Sequence, residues 1–189
     1  MNQSRPFFSV VIPVYNKEPH IARSINSVLK QTFSDFELIV VCDPSTDNSN
    51  AEVEKFTDPR IRVLYRDEPG PGGYAARNLG IKDARADWVA FLDADDEWYP
   101  EHLEKKRELS VKFIDAGVMS SAYVISDPSK EQKKYLDPYG EFAQHLGTHF
   151  LKFEAYLKSE VNSKRPIWTT VACIKKHILL SVDGFPEGK

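Results

Sequence analysis

Four short apolar runs, each followed by a turn or a stretch of helical periodicity, constrain this chain more than any other feature. Phe7 to Val14 is almost continuously apolar, as expected of a strand buried on both faces of a parallel sheet. Pro13 near its end marks where ladder pairing stops. From about His20 to Lys30, Ile21, Ile25, Val28 and Leu29 recur at helical spacing. The pattern then repeats. Phe36 to Val41 reads as a second strand, Cys42-Asp43-Pro44-Ser45-Thr46-Asp47 supplies turn and cap residues, and a helix runs to about Phe56. Ile61 to Tyr65 is a third strand, followed by the glycine-rich turn Pro69-Gly70-Pro71-Gly72-Gly73 and a helix over Tyr74 to Ala84. Trp88 to Leu92 is the fourth. Such alternation predicts an α/β protein with a Rossmann-like, mainly parallel central sheet flanked by helices on both faces.

Beyond the fourth strand the signals thin out. Pro100 stands where a helix to about Asp115 begins, a position at which its missing N–H costs nothing. Val118 to Ser126 reads as a strand, and the polar stretch Asp127 to Gly140, with two Asp-Pro steps, as a mobile loop. Phe142, Leu146, Phe150, Phe153 and Leu157 mark an amphipathic helix. Ile167 to Ile174 suits a strand, Lys175 to Ser181 a short helix, and Asp183-Gly184-Phe185 a turn. The 189 residues suit one domain.

Composition excludes several classes. With 25 basic and 28 acidic residues well mixed there is no nucleic-acid footprint. No apolar run is long enough to span a bilayer, and the N-terminus lacks an apolar signal core. Cys42 and Cys173 form neither a metal spacing nor a disulfide framework, which points to a reducing, cytoplasmic setting. Peripheral contact with a membrane stays compatible, although no basic amphipathic helix argues for it.

The fourth strand runs directly into Asp93, Asp95 and Asp96, three carboxylates within four positions. Carboxylates that close repel, and a hard divalent cation is an effective way to hold them together; Mg2+ or Mn2+ also keeps coordination positions for phosphate oxygens. The plainer alternative is a solvated acidic turn. In open α/β sheets, however, ligands bind outside the carboxyl ends of the strands. Pro13 and Tyr15 follow the first strand, Asp43 the second, Arg66 the third, and Asp93 and Asp95 the fourth, so all belong to one rim. The turn Tyr15-Asn16-Lys17-Glu18 carries no glycine fingerprint, and no Walker loop occurs, so neither a dinucleotide fold nor a P-loop enzyme is indicated.

Other candidates weigh differently. A carboxylate at Asp43 suits the N–H edge of a uracil, thymine or guanine base, or else simply caps a turn. Asp47 sits where a helix cap belongs. Arg77 and Asn78 lie one turn into the helix after Gly72 and Gly73, where free N–H groups and a guanidinium favour an anion. His145 and His149 have the i, i+4 spacing of a zinc pair, but the glutamate of the metalloprotease motif and a third ligand are missing, so packing is the better account. Cys173 reads as a buried apolar residue.

These residues resemble the inverting glycosyltransferases of family two, which have the GT-A nucleotide-sugar-binding fold. Val10-Val11-Ile12-Pro13-Val14-Tyr15-Asn16 is similar to that family's first strand and turn, and Ser27-Val28-Leu29-Lys30-Gln31-Thr32 to the end of its first helix. Cys42-Asp43-Pro44-Ser45-Thr46-Asp47 resembles its Asp-Asp-Gly-Ser-Thr-Asp segment, with Cys42 and Pro44 as departures. Ala76-Arg77-Asn78-Leu79-Gly80, the Asp-x-Asp of Asp93-Ala94-Asp95, and Asp183-Gly184-Phe185 complete the set in order.

The resemblance implies that Pro13, Tyr15 and Asp43 hold the nucleoside, with Glu18 near the base or ribose and Arg77 near the nucleotide. Asp93 would contact the ribose or sugar, Ala94 would belong to the nucleotide-sugar site, and Asp95 would ligate Mn2+ or Mg2+ bridging the diphosphate. It implies transfer with inversion from a nucleotide sugar, UDP-linked by preference, to a carbohydrate or lipid-linked acceptor in polysaccharide or glycoconjugate synthesis. Residues 1–116 would be the donor half and 117–189 part of an acceptor half. The family's general base is an aspartate of a Glu-Asp pair shortly after the last turn; this chain stops at Lys189 before any such pair, so an incomplete acceptor half is expected. A non-catalytic nucleotide-sugar-binding protein is the alternative. A sugar-nucleotide pyrophosphorylase would want a glycine-rich loop after the first strand, and a phospho-receiver module acidic pairs there; the chain has neither.

Overall fold

The structure is a computed structural model describing residues 5–126, 134–136, 148–150, 152, 155–156 and 167–187. Its first half follows the alternation closely: β1 (Phe8–Val14), α1 (Ile21–Leu29), β2 (Phe36–Cys42), α2 (Ser49–Glu54), β3 (Ile61–Tyr65), a 3₁₀ turn (Pro71–Gly73), α3 (Tyr74–Asp83) and β4 (Trp88–Phe91). β1 pairs in parallel with β2 on one side and β4 on the other, and β2 pairs in parallel with β3.

Alternation along each strand explains the three layers, because successive side chains leave a strand on opposite faces. Phe8, Val10 and Ile12 of β1, with Leu38 and Val40 of β2, pack against Ile21, Ile25 and Val28 of α1 and Val53 of α2. The intervening Val11, Ile39 and Val41, with Val89 and Phe91 of β4, pack against Ala76 and Ile81 of α3. Side chains of this kind stabilise by about 1.5–3 kcal/mol each when fully buried. α3 lies very close to the sheet: a Cβ on Gly80 would stand 2.5 Å from Val11 Cγ1, so only glycine fits.

The second half departs from expectation in three places. α4 (His102–Lys112) and α5 (Lys176–Ser181) form as expected, α4 more briefly at both ends. Val118 to Ser126 is not one strand. β5 (Val118–Met119) joins the main sheet, whereas β6 (Val124–Ser126) pairs antiparallel with β7 (Lys134–Leu136) in a separate two-stranded sheet. The intervening Ser120-Ser121-Ala122 has weak strand preference, and Ser121 Oγ instead accepts a 2.7 Å hydrogen bond from the fully buried Lys106. β7 falls inside the stretch expected to be a loop, whose other residues lie outside the described ones.

Ile167 to Ile174 also splits, into a 3₁₀ turn (Thr169–Val171) and β8 (Cys173–Lys175). β8 runs antiparallel between β4 and β5 and completes the order β3-β2-β1-β4-β8-β5. Lys106 Nζ also donates to the Val171 carbonyl at 2.9 Å, joining α4 to that turn, and burial pushes its pKa down to about 7. The expected amphipathic helix, with His145, lies largely outside the described residues. Among the described residues no helix is long and apolar enough to cross a membrane.

Candidate functional site

β1 is the point at which the sheet order reverses, with β2 and β3 to one side and β4 to the other. A crevice is expected beyond the carboxyl ends of strands at such a point. A cleft of about 470 Å³ opens there. Pro13 and Tyr15 from the end of β1, Asp43 after β2, Arg77 from α3, and Asp93, Ala94 and Asp95 after β4 all line it, together with Lys17, Gly72 and Gly73. Glu18, which the resemblance places near the base or ribose, is not among the residues lining the cleft, nor are Arg66 and Asn78. The Glu18 carboxylate accepts from the Asn48 backbone N–H at 3.1 Å and side-chain amide at 3.0 Å, at the start of α2. Asp47 has a local role as well, accepting from the Ser49 N–H at 3.0 Å and the Glu18 N–H at 3.0 Å.

Each acidic residue in the cleft has a cationic partner. Asp43, only 1% exposed, accepts from Arg66 Nη1 at 2.5 Å and from the Gly70 N–H at 3.2 Å. A carboxylate has about four acceptor positions, so Asp43 retains capacity for a base edge. Asp93 pairs with Arg77 Nη2, and Asp95 Oδ2 accepts from Lys17 Nζ at 2.6 Å. Burial alone would raise the pKa of the Asp95 carboxyl, but the hydrogen bond from Lys17 and its charge outweigh this and hold it below the ordinary value. Asp96 goes the other way: burial raises its pKa and the charges of Asp93 and Asp95 add to the rise, against a hydrogen bond with Thr170.

The acidic turn is held from both sides. From α1, the buried Ser24 hydroxyl donates to the Ala94 carbonyl at 2.8 Å, and Arg23 Nη2 to the Asp95 carbonyl at 2.5 Å. From the distant 3₁₀ turn, Thr170 Oγ1 accepts from the Asp93 N–H at 3.3 Å. Opposite, Asn16 adopts φ +50°, a left-handed conformation asparagine tolerates. Its side-chain oxygen accepts from the Thr46 N–H at 2.8 Å, which staples the Tyr15–Glu18 turn to the segment after β2.

Gly72 and Gly73 have φ of +59° and +70°, and a Cβ on Gly73 would meet Arg77 Nη1 at 3.3 Å and Pro13 Cβ at 3.4 Å. Arg77, 7% exposed, donates to the Gly72 carbonyl at 2.9 Å and lies 5.7 Å from the Phe185 ring centroid and 6.0 Å from that of Tyr74. Its Nε is buried and has no partner among the described residues. Asn78 is engaged by the segment around Phe185. Its amide donates to the Phe185 carbonyl at 2.8 Å and to Glu187 Oε1 at 2.7 Å, and its oxygen accepts from the Phe185 N–H at 2.8 Å. It therefore clamps the turn after α5 rather than contacting the cleft.

Whether a divalent ion suits this site is decided by its donors. Among the described residues no group of three or more His, Cys, Asp or Glu is disposed to hold a metal, so an all-protein cage does not fit. Mg2+ and Mn2+ do not require one, since one or two carboxylates complete their shell with phosphate and water. The side chains of Asp95 and Asp93, 44% and 28% exposed in the cleft, are hard oxygen donors of that kind. Cys42 is buried; burial pushes its thiol up to about 12, and the charges of Asp43 and Glu54 add to this, so it packs as a neutral residue.

One residue that lines the cleft and one that supports the acidic turn carry no signal in the sequence pattern. Lys17 stands in a turn that matches no phosphate-binding motif, and Thr170 reaches the acidic turn from 77 residues away.

Residues 9–176 match the profile of "Glycosyl transferase family 2". The chain belongs to glycosyltransferase family 2. Among curated members it is 42% identical over 104 residues to the UDP-Glc:alpha-D-GlcNAc-diphosphoundecaprenol beta-1,3-glucosyltransferase WfgD of Escherichia coli, covering 55% of this chain and 41% of that one. It is 37% identical over 114 residues to the putative teichuronic acid biosynthesis glycosyltransferase TuaG of Bacillus subtilis, covering 59% of this chain and 45% of TuaG. The fold matches that of S. aureus TarS solved with UDP-GlcNAc, with a TM-score of 0.72 at 25% identity over 96% of this chain and 49% of that chain. A Pyrobaculum calidifontis mannosyltransferase solved with GDP-Man and Mn2+ matches at TM-score 0.65 and 22% identity, over 97% of this chain and 48% of that chain; that likeness bears on the fold alone. The family 2 domain is thus of GT-A type, and the chain spans about 41–45% of the length of these two curated relatives.

Proposed function

We propose that the cleft binds a nucleotide sugar, a UDP-sugar by preference, and that the protein transfers the sugar with inversion to a carbohydrate or lipid-linked acceptor hydroxyl. The observation that carries this reading is the convergence of Asp43, Arg77, Asp93 and Asp95 on one cleft at the reversal point of a GT-A sheet. The names of two relatives support the donor and acceptor classes: WfgD uses UDP-Glc and a diphosphoundecaprenol-linked sugar, and TarS was solved with UDP-GlcNAc.

In this reading Asp43 accepts from the base edge while Pro13 and Tyr15 flank the nucleoside, and Arg77 with the N-terminus of α3 faces negative charge on the nucleotide. Asp93, oriented by Arg77, contacts the ribose or sugar. Asp95 holds Mn2+ or Mg2+, which when bound neutralises charge on the leaving diphosphate. The acceptor oxygen forms the new bond to the anomeric carbon as the sugar–phosphate bond breaks, and its proton passes to a base. The cleft carboxylates are all engaged by cations, which leaves them poorly suited to that task.

Thermal melts with UDP, GDP, dTDP and CDP, each with and without Mn2+, test the proposal. A ligand at 100 times its Kd stabilises by about 2.7 kcal/mol, or roughly 5–10 °C for a chain of this size. The expected result is a shift with UDP that Mn2+ enlarges, and Asp95→Asn removes the Mn2+-dependent part. A panel with no shift under any condition would sink the donor-site reading.

A further inference from the structure

Among the three cations that partner the cleft carboxylates, Lys17 differs in kind. The Arg66 and Arg77 side chains are 19% and 8% exposed, whereas that of Lys17 is 35% exposed and its partner Asp95 is 44% exposed. Its backbone is fixed, since the Lys17 N–H donates to Ser49 Oγ at 2.6 Å. The side chain beyond is a flexible four-carbon stem ending in a point charge. Its Nζ lies 2.6 Å from Asp95 Oδ2, in the same cleft as Arg77.

We propose that Lys17 is an exchangeable cation: it holds Asp95 when no divalent ion does, and swings onto the diphosphate when nucleotide enters. This inference rests on the donor-site reading above. An ammonium at 2.6 Å from one carboxylate oxygen repels any dication approaching that carboxylate. Lys17 therefore competes with the metal for Asp95. An incoming diphosphate is the strongest negative charge within its reach, so the same side chain also supports nucleotide binding in the absence of metal.

The test compares wild type, Lys17→Met and Lys17→Arg in two titrations. Mn2+ binding without nucleotide is followed by electron paramagnetic resonance, and UDP binding in EDTA by calorimetry. An ion pair this exposed sets the scale at about two- to fivefold. Lys17→Met should bind Mn2+ tighter and UDP in EDTA more weakly, each by roughly that factor, while Lys17→Arg stays near wild type in both. If Lys17→Met binds Mn2+ no tighter, or UDP in EDTA equally well, the exchange is overturned while the donor site stands. Wild type that binds UDP with Mn2+ but not in EDTA likewise overturns the exchange, whereas wild type that binds UDP in neither condition fails the donor-site reading and this inference with it.

Discussion

Replacing Asp43 with alanine removes the acceptor shared by Arg66 and the Gly70 N–H, at the base of the cleft. The Asp43 side chain is 2% exposed and that of Arg66 19%. A hydrogen bond to a charged group contributes about 1.5–3 kcal/mol. Stranding one member of a fully buried pair costs about 3–5 kcal/mol, but Arg66 keeps enough exposure to recover part of its hydration. A loss of about 2–4 kcal/mol follows from these bounds. For a chain of this length that lowers Tm by roughly 5–15 °C. Asp43→Asn keeps the volume and one acceptor oxygen and should lose about half as much. Thermal and urea melts of Asp43→Ala, Arg66→Ala and the double variant isolate the pair, and a coupling of at least about 1 kcal/mol is expected between residues in contact. Both Asp43 variants should also lose the nucleotide-dependent shift. A Tm for Asp43→Ala within about 2 °C of wild type, or strictly additive variants, would refute the claim that this carboxylate anchors the wall.

Two further tests address the scaffold. Gly80→Ala should destabilise by about 1–3 kcal/mol despite alanine's better helix propensity, because the new methyl would stand 2.5 Å from the stiff, fully buried Val11; urea unfolding reads it, and a stabilised variant would contradict the close approach of α3 to β1. Glu37, at the opposite end of the sheet from the cleft, should make the acid limb of stability steeper. Burial opposes its ionisation, but hydrogen bonds from Ser9, the Arg85 N–H and Arg62 prevail and hold its pKa below the ordinary 4.5. The unfolded chain then binds the proton first, so Glu37's contribution is complete above pH 4.5 and is lost as pH falls through the folded value. Urea melts from neutral pH downward should give a flatter curve for Glu37→Gln, and parallel curves would show that Glu37 carries no such linkage.

Much of the site is legible in the amino-acid sequence because parallel strands buried on both faces must be written as unbroken apolar runs. Those runs mark β1 to β4, and their carboxyl ends put Pro13, Tyr15, Asp43, Asp93 and Asp95 on one rim. The second half is less legible. β5 and β8 are short and antiparallel to their neighbours, so their apolar signal is brief, and the Thr169–Val171 turn looks like strand in composition.

What the amino-acid sequence alone determined is therefore the layered α/β frame and the edge at which chemistry collects, since periodicity and strand ends are local properties. What only the tertiary structure decided is how the charges are satisfied. Glu18 meets Asn48 at the start of α2 across 30 positions. Lys17 meets Asp95 across 78 positions, and Thr170 meets Asp93 across 77. Hydrogen bonds and ion pairs reach only a few ångströms, so their partners are set by which segments the packed core brings together, and no local pattern in the chain records that.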